Sequence, residues 1–584
     1  MTMTRFTAFF LFGLCSAVVL AQGEPEGDTG FTHTGVARGQ DFMAATANPY
    51  ATEAAAVILA DGGSAVDAVI AAQMVLTLTE PQSSGIGGGL FLLHWDAKNA
   101  QLLSLDGREA APAAASPTLF VGNRGEPVPW IEAVVGGRSV GVPGAVAALY
   151  EAHRRFGVLP WSQLLGPAIT LAEEGFEVSP RLALLLAQEI NPGLRRPGKA
   201  RGYFAPGGEW LTAGDRRENP ALARTLRRLA TEGPDAFYRG ELAEQIVDAV
   251  QSDPDRPGLL SLADLADYRP RWRSPVCQPY RQYQVCGMGP PSSGGITVGQ
   301  ILSLLEPYPV SSWTPQSPEF VHRFSQASRL AYADRARYIA DDAFYPVPVQ
   351  TLLSETYLND RRRLMGSDRD MGPAAAGKLP VQAGPDTTRA LPSTTHLVMV
   401  DAEGNMVSMT SSIEMGFGST VMVGGFLLNN QLTDFALDPG TESNPAANRV
   451  EAGKRPRSSM APTLVLDAEG QPNLAIGSPG GSRIISYVSQ MLIALLDWQL
   501  PLEQALALPR ISHRNDNLVL EAERTSPELA AAMEARGYDV RLAPLNSGVQ
   551  VIRRSVEGWE GAADPRREGT AIGGTIRSAG EPSH

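Results

Sequence analysis

The 584-residue sequence predicts an α/β protein in which β-sheets are covered by helices, and three observations carry that expectation. Helical periodicity dominates the region from about 145 to 250 and recurs near 296–305 and 318–340. Alternating apolar patterns, the mark of half-buried strands, set in at residue 395 and recur near 463. A long apolar helix pattern over 482–498 then comes directly after, so sheets and helices alternate and must bury one another.

Each element has a local cause. Residues 52–78 read as two helices, the second opened by Ser64-Ala65-Val66-Asp67, a Ser-x-x-Asp capping pattern ahead of Val66, Val69, Ile70 and Met74 on one face. Between 145 and 250, Pro, Gly and Asn breaks mark short connections between helices. A two-residue turn centred on Arg281-Gln282 pairs 280 with 283 and brings Cys277 opposite Cys286 at a non-hydrogen-bonded position, where Cα atoms lie ~4.5 Å apart. An oxidising compartment favours a disulfide there; two small buried apolar side chains are the alternative, and Arg-Gln is a poor primed turn. Residues 365–393, with Gly-, Pro- and Ala-rich stretches, read as a flexible, accessible approach to the Ser393–Thr394 junction. Strands are expected at 395–401 and 406–412 around Ala402-Glu403-Gly404-Asn405, and at 463–467 and 473–477 around Ala468-Glu469-Gly470. On the helix 482–498, Ile484, Ile485, Val488, Met491, Leu492, Leu495 and Leu496 form the apolar side.

Bulk properties narrow the function. Residues 1–21 combine Arg5, an apolar run from Phe9 to Leu20 and Val19-Leu20-Ala21 as a small-residue cleavage site, the pattern of a secretory signal peptide. Cys15 invites lipidation, but Leu14 stands where a small residue is wanted. The expected location is periplasmic or secreted, with no other apolar run of membrane-spanning length. Length alone suggests three or four domains, yet no linker divides the chain, and one intertwined unit is expected. The formal charge of −13 is spread without long like-charge blocks, which argues against nucleic acid or an anionic membrane as partner. The seven histidines are scattered, none at ligand spacing from another or from the cysteines, so neither metal nor cofactor is implied.

The chemistry centres on Ser393-Thr394-Thr395-His396. If the Ser393–Thr394 peptide is cut, Thr394 carries a hydroxyl and a free amine on adjacent atoms, a nucleophile with its own base. Such an amine has a reference pKa of ~7.7–8.0, so much of it is neutral near working pH. Gly480-Gly481, at the start of helix 482–498, combines exposed backbone N–H groups with room for close approach, a corner suited to an oxyanion or simply a tight strand-to-helix turn.

In order and spacing, Thr394, Ser411-Ser412-Ile413-Glu414, Leu428-Asn429-Asn430-Gln431 with Asp434, Arg455-Pro456-Arg457-Ser458-Ser459-Met460 and Gly477-Ser478-Pro479-Gly480-Gly481 closely resemble the small subunit of the γ-glutamyltransferases. Upstream, Ser84-Gly85-Ile86-Gly87-Gly88-Gly89, Asp106-Gly107-Arg108-Glu109, Pro290-Pro291-Ser292-Ser293-Gly294-Gly295 and Ala333-Asp334-Arg335-Ala336 extend the resemblance, and Asp564-Pro565-Arg566-Arg567 carries it almost to the end. The resemblance implies a four-layer αββα sandwich of the N-terminal nucleophile hydrolase type. Two subunits, 22–393 and 394–584, cut from one precursor would form it jointly, with Thr394 exposed between the central sheets. It implies Thr394 as nucleophile, Ser412 as the hydroxyl that hydrogen-bonds it, and Gly480 and Gly481 as oxyanion donors. Arg108, assisted by Ser458 and Ser459, would grip a substrate α-carboxylate, with Glu414, Gln431 and Asp434 around the α-ammonium. The implied activity is γ-glutamyl transfer from glutathione or related compounds to water, an amino acid or a peptide.

Three departures bear on that expectation. Val398 stands where the family usually has Ser or Thr, and Glu414 where Asn is frequent. The segment 436–454, which in many relatives forms a lid with a covering tyrosine, is short here and carries no aromatic residue, so water and bulky donors gain access. Three other readings compete: a cephalosporin or glutaryl acylase of the same family; a serine hydrolase built on Gly137-Arg138-Ser139-Val140-Gly141; and a processed but inactive peptide-binding protein.

Overall fold

The computed structural model describes residues 29–386, 388 and 393–576. The proposed signal segment and Cys15 therefore lie outside the described residues. In chain order, the strands of the two main sheets are β1 (Ala37–Gly39), β2 (Phe42–Thr46), β3 (Gly89–Asp96), β4 (Gln101–Gly107), β5 (Arg271–Arg273), β6 (Val276–Tyr280), β7 (Tyr283–Gly287), β8 (Thr395–Val400), β9 (Met406–Ser412), β10 (Thr463–Leu466), β11 (Pro472–Gly477), β12 (Gln550–Ser555), β13 (Gly558–Ala563) and β14 (Thr570–Gly574). One seven-stranded sheet runs β1-β13-β12-β11-β10-β7-β6 and the other β14-β2-β8-β9-β3-β4-β5.

Side-chain alternation explains how they stack. On β8, Val398 and Val400 meet Leu464, Ala475 and Ile552 of the facing sheet, while Leu397 and Met399 point the other way into a core shared with the helices Pro49–Ala60 and Ala65–Thr79. The opposite sheet turns Val465, Leu474 and Ile476 toward the helices Gly294–Leu305, Pro318–Tyr338 and Ile484–Leu496. Helix, sheet, sheet, helix is therefore the layer order. Val398 is fully buried between the sheets, where an apolar side chain of its size contributes about 1.5–3 kcal/mol, so the departure at this position alters packing.

Ser64 and Asp67 form a reciprocal capping box on helix Ala65–Thr79, and the helical stretch 145–250 contains the helices Ala145–Phe156, Trp161–Glu174, Pro220–Glu232 and Gly240–Gln251 among others. Strands β6 and β7 pair in the expected register, Cys277 opposite Cys286 and Tyr280 opposite Tyr283. Arg281 accommodates the poor turn sequence by taking φ 55°. The two cysteines are joined, with Cα atoms 4.0 Å apart. The last long helix differs from its sequence reading at both ends. A 3₁₀ turn, Gly481–Arg483, precedes Ile484–Leu496, and the helix stops before Trp498, whose indole donates to the Val310 carbonyl.

Segments from either side of residue 393 interleave throughout. Strands β8 and β9 lie between β2 and β3, and β10–β13 lie between β1 and β7.

Candidate active site

Counting back along β8 in steps of two from Val398 places His396 and then Thr394 on the face that meets the other sheet. His396 is fully buried there; its Nδ1 lies 2.8 Å from the Thr410 hydroxyl, and burial pushes its pKa down to about 3, which keeps the ring neutral. Thr394 sits where the strand begins, only 4% exposed. Its Oγ1 donates to Ser412 Oγ at 3.3 Å, and the Ser412 hydroxyl in turn donates to the Ser393 carbonyl oxygen at 3.0 Å. The Glu414 backbone N–H donates to the same Ser412 oxygen at 2.8 Å, which fixes the direction in which its single proton points. Gly88 explains part of the upstream glycine run: a Cβ there would lie 2.1 Å from the Ser412 carbonyl oxygen. The Ser393 hydroxyl donates to the Gln82 carbonyl.

Arg108 comes from the end of β4. Asp106 accepts from the Arg108 backbone N–H at 2.8 Å and pairs with Arg455 at 2.6 Å and Arg273 at 2.8 Å, so one buried carboxylate ties the loop after β4 to the Arg455-Pro456-Arg457 run. The Arg108 guanidinium is fully buried. Nη2 donates to Asp434 at 2.5 Å and to the Arg457 carbonyl at 3.0 Å, Nε donates to the Pro456 carbonyl at 3.2 Å, and Nη1 lacks a hydrogen bond among the described residues. Glu109, also fully buried, lies 3.7 Å from Nη1, and burial raises its carboxyl to about pKa 8 despite that neighbour. Gln431 Nε2 donates to the same Asp434 oxygen at 2.9 Å.

The remaining walls come from distant segments. Ser293 donates through its N–H and its hydroxyl to the Ser458 carbonyl, at 2.8 and 2.7 Å, so the Pro290-Pro291-Ser292-Ser293 motif holds the Ser458-Ser459 wall. Arg335 Nη2 donates to the Ser459 hydroxyl. At the far side Gly480 adopts φ 135° and Gly481 φ 56°, both in the left-handed region that favours glycine. Thr394, Ser412, Arg108, Glu414, Gln431, Asp434, Ser458, Ser459 and Gly481 all line one cleft, with Gly480 one residue behind. Such a cleft offers a nucleophile, a cation and acceptors for a substrate cation, and backbone donors at a turn. Among the described residues no group of three His, Cys, Asp or Glu side chains could hold a metal ion. Ser139 lies elsewhere, buried, its hydroxyl donating to the Val134 and Gly136 carbonyls with no histidine among its hydrogen-bond partners in the described residues, so the serine-hydrolase reading fails.

Sequence reading assigned no role to Arg457, Asn448 and Asp386, which meet beside this cleft. Arg457 Nη2 pairs with Asp386 at 2.8 Å and Asn448 Nδ2 donates to the same carboxylate oxygen at 3.2 Å. Asn448 belongs to the segment after Ala436, which forms a small hairpin, exposed Gly440–Thr441 with half-buried Asn444–Pro445, and runs beside Gly384 through an isolated bridge to Ala446. No motif could have exposed this grouping, because its members stand far apart in the chain.

A four-layer sandwich with a strand-initiating hydroxyl between its two sheets defines the N-terminal nucleophile hydrolase class. Within it, the family model described as Gamma-glutamyltranspeptidase matches residues 51–574, and the chain belongs to that family of enzymes. It is 36% identical over 549 residues to the glutathione hydrolase proenzyme of Bacillus subtilis strain 168, covering 92% of each chain. It is equally similar, 36% over 558 residues, to the acylase ACY 1 proenzyme of Pseudomonas sp. strain SE83, covering 93% of this chain and 96% of that one. The crystal structure of cephalosporin acylase from Bacillus halodurans superimposes with a TM-score of 0.81 at 30% identity, over 92% of this chain and 97% of that chain.

Proposed function

We propose that the chain is the precursor of a γ-glutamyltransferase and glutathione hydrolase that cuts itself between Ser393 and Thr394. The hydrogen-bonded relay from Thr394 through Ser412 to the Ser393 carbonyl carries this reading. Thr394 Oγ1 attacks the Ser393 carbonyl carbon while Ser412 hydrogen-bonds the oxygen on which charge builds. The C–N bond breaks, the Thr394 nitrogen takes the proton lost by the hydroxyl, and water opens the resulting Ser393 ester. The products are residues 22–393, after loss of a secretory signal, and 394–584.

In the mature enzyme the free amine of Thr394 draws the proton from its own hydroxyl, which attacks the γ-amide of the donor. Gly480 and Gly481 N–H groups hold the oxyanion. Arg108 takes the substrate α-carboxylate, aided by Ser458 and Ser459, while Asp434, Glu414 and Gln431 take the α-ammonium, so the substrate's two charges replace the Arg108–Asp434 contact. Water or an amine then releases the γ-glutamyl ester. The short hairpin segment after Ala436 brings no aromatic side chain over the cleft, which favours water. A periplasmic or secreted location, with the Cys277–Cys286 bond formed there, completes the proposal.

Mass spectrometry of purified protein tests the first step. The wild-type protein should give two pieces, one beginning at Thr394, and Thr394→Ala one uncut chain; a mutant that splits at the same bond would refute self-cleavage. A glutaryl or cephalosporin acylase is the second reading, favoured by the acylase relatives. Asp434 weighs against it, because a glutaryl carboxylate on Arg108 would displace Asp434 and bring no ammonium in exchange. Relative rates on γ-glutamyl and glutaryl anilides separate the two.

A further inference from the structure

Beyond the Ser458-Ser459 wall lies a second cavity of ≈ 380 Å³. Its lining carries four guanidiniums, Arg335, Arg337, Arg457 and Arg514, against two carboxylates, Asp386 and Asp516. Arg335 is buried and donates only to hydroxyls, those of Ser293 and Ser459, with no ion pair among the described residues. Burial, followed by the nearby Arg457, lowers its pKa to about 9. An arginine keeps its proton at working pH, and a buried cation without a carboxylate is costly. Arg457 is held in place independently of Asp386, since its Nη1 donates to the Arg335 and Ala336 carbonyls at 3.3 and 3.4 Å. Two contacts join this cavity to the nucleophile cleft: Arg335 with Ser459, and Ser482, which lines the cavity directly after the Gly480-Gly481 turn.

We propose that this cavity is a second carboxylate subsite, which receives the C-terminal carboxylate of a short peptide attached through the scissile γ-amide. In the uncut chain Asp386 occupies the place of that carboxylate on Arg457 and Asn448. Asp386 stands seven residues before Ser393, so the cut places it close to a new chain end, free to give up the seat. The ligand class is an amine or peptide bearing a carboxylate, as donor leaving group or as acceptor. This inference rests on the γ-glutamyl reading of Thr394 and adds a determinant at the opposite end of the substrate from Arg108.

The test uses the processed enzyme and three substrates: γ-glutamyl-cysteinyl-glycine, the same tripeptide as its C-terminal amide, and a γ-glutamyl anilide without a leaving-group carboxylate. The free acid should exceed the amide in kcat/KM by about tenfold, the weight of one charge-assisted hydrogen bond. Arg457→Gln should bring that ratio to near one, the anilide serving to normalise for general damage. A wild-type ratio near one, or a ratio that survives Arg457→Gln, overturns the subsite while leaving the γ-glutamyl reading intact. Failure to turn over the anilide refutes that reading and the subsite with it. Should Arg457→Gln not mature, Arg514→Gln takes its place: a reduced ratio supports the subsite and an unchanged one overturns it.

Discussion

Arg108 reaches the cleft with only part of its guanidinium uncommitted: Nη2 and Nε are spent on Asp434 and two carbonyls, and Nη1 remains. The arginine fork is therefore a positioning device as much as a charge. Lysine keeps the charge but cannot stay anchored on the Pro456 and Arg457 carbonyls while offering a second, parallel donor to the substrate carboxylate that takes the place of Asp434. Arg108→Lys should lower kcat/KM for a γ-glutamyl anilide at least about tenfold, or ~1.4 kcal/mol, while cleavage at Ser393–Thr394 continues. Steady-state kinetics beside a denaturing gel reads both, and an unchanged kcat/KM removes Arg108 from the site. That Arg108 serves the cleft was legible only through its motif; its complete burial beside Glu109 was disclosed by the structure.

At the scale of elements, the turn before helix Ile484–Leu496 separates the two reactions proposed for Thr394. Self-cleavage places its oxyanion against Ser412, whereas turnover uses the Gly480-Gly481 turn. A side chain at 480 would meet Tyr487 at 2.7 Å and adopt a φ of 135°, so the turn must shift. Gly480→Ala should therefore mature normally and lose about 10²-fold in kcat, the usual weight of one oxyanion donor. Mature protein with wild-type kcat would take the turn out of the mechanism. The glycine pair was visible in the sequence. The 3₁₀ turn after it was not, because helical periodicity does not distinguish a 3₁₀ start from an α start.

For the molecule as a whole, the interleaving of both sheets sets the fate of the cleaved pieces. Strands β8 and β9 pair with β2 and β3, and Val398, Val400 and Met406 share one core with Met43, Ala45 and Leu93. Apolar burial and backbone pairing are little affected by ionic strength. The processed protein should elute as one particle on gel filtration in high salt and resolve into two bands on a denaturing gel. Separation of the bands without denaturant would show that the pieces do not share a core.

The sequence by itself determined the hairpins at 395–412 and 463–477, the capped helix after Ser64, the register that sets Cys277 opposite Cys286, and the ordered motifs that mark the family. These are local patterns of alternation, turn chemistry and spacing, and they need no partner to be read. Tertiary structure decided what those patterns leave open. It stacked the two sheets so that the even positions of β8 face inward and Thr394 meets Ser412. It buried Asp106 so that β4 is locked to Arg455, and it brought Asp386, Asn448 and Arg457 together beside Arg335. Strands β13 and β14 escaped the sequence reading because Gly558, Gly561, Gly573 and Gly574 interrupt the apolar alternation, and only pairing with neighbours makes them strands. Long-range charge pairing and packing have no period along the chain, so only the folded structure could disclose the walls of the cleft and the cavity behind them.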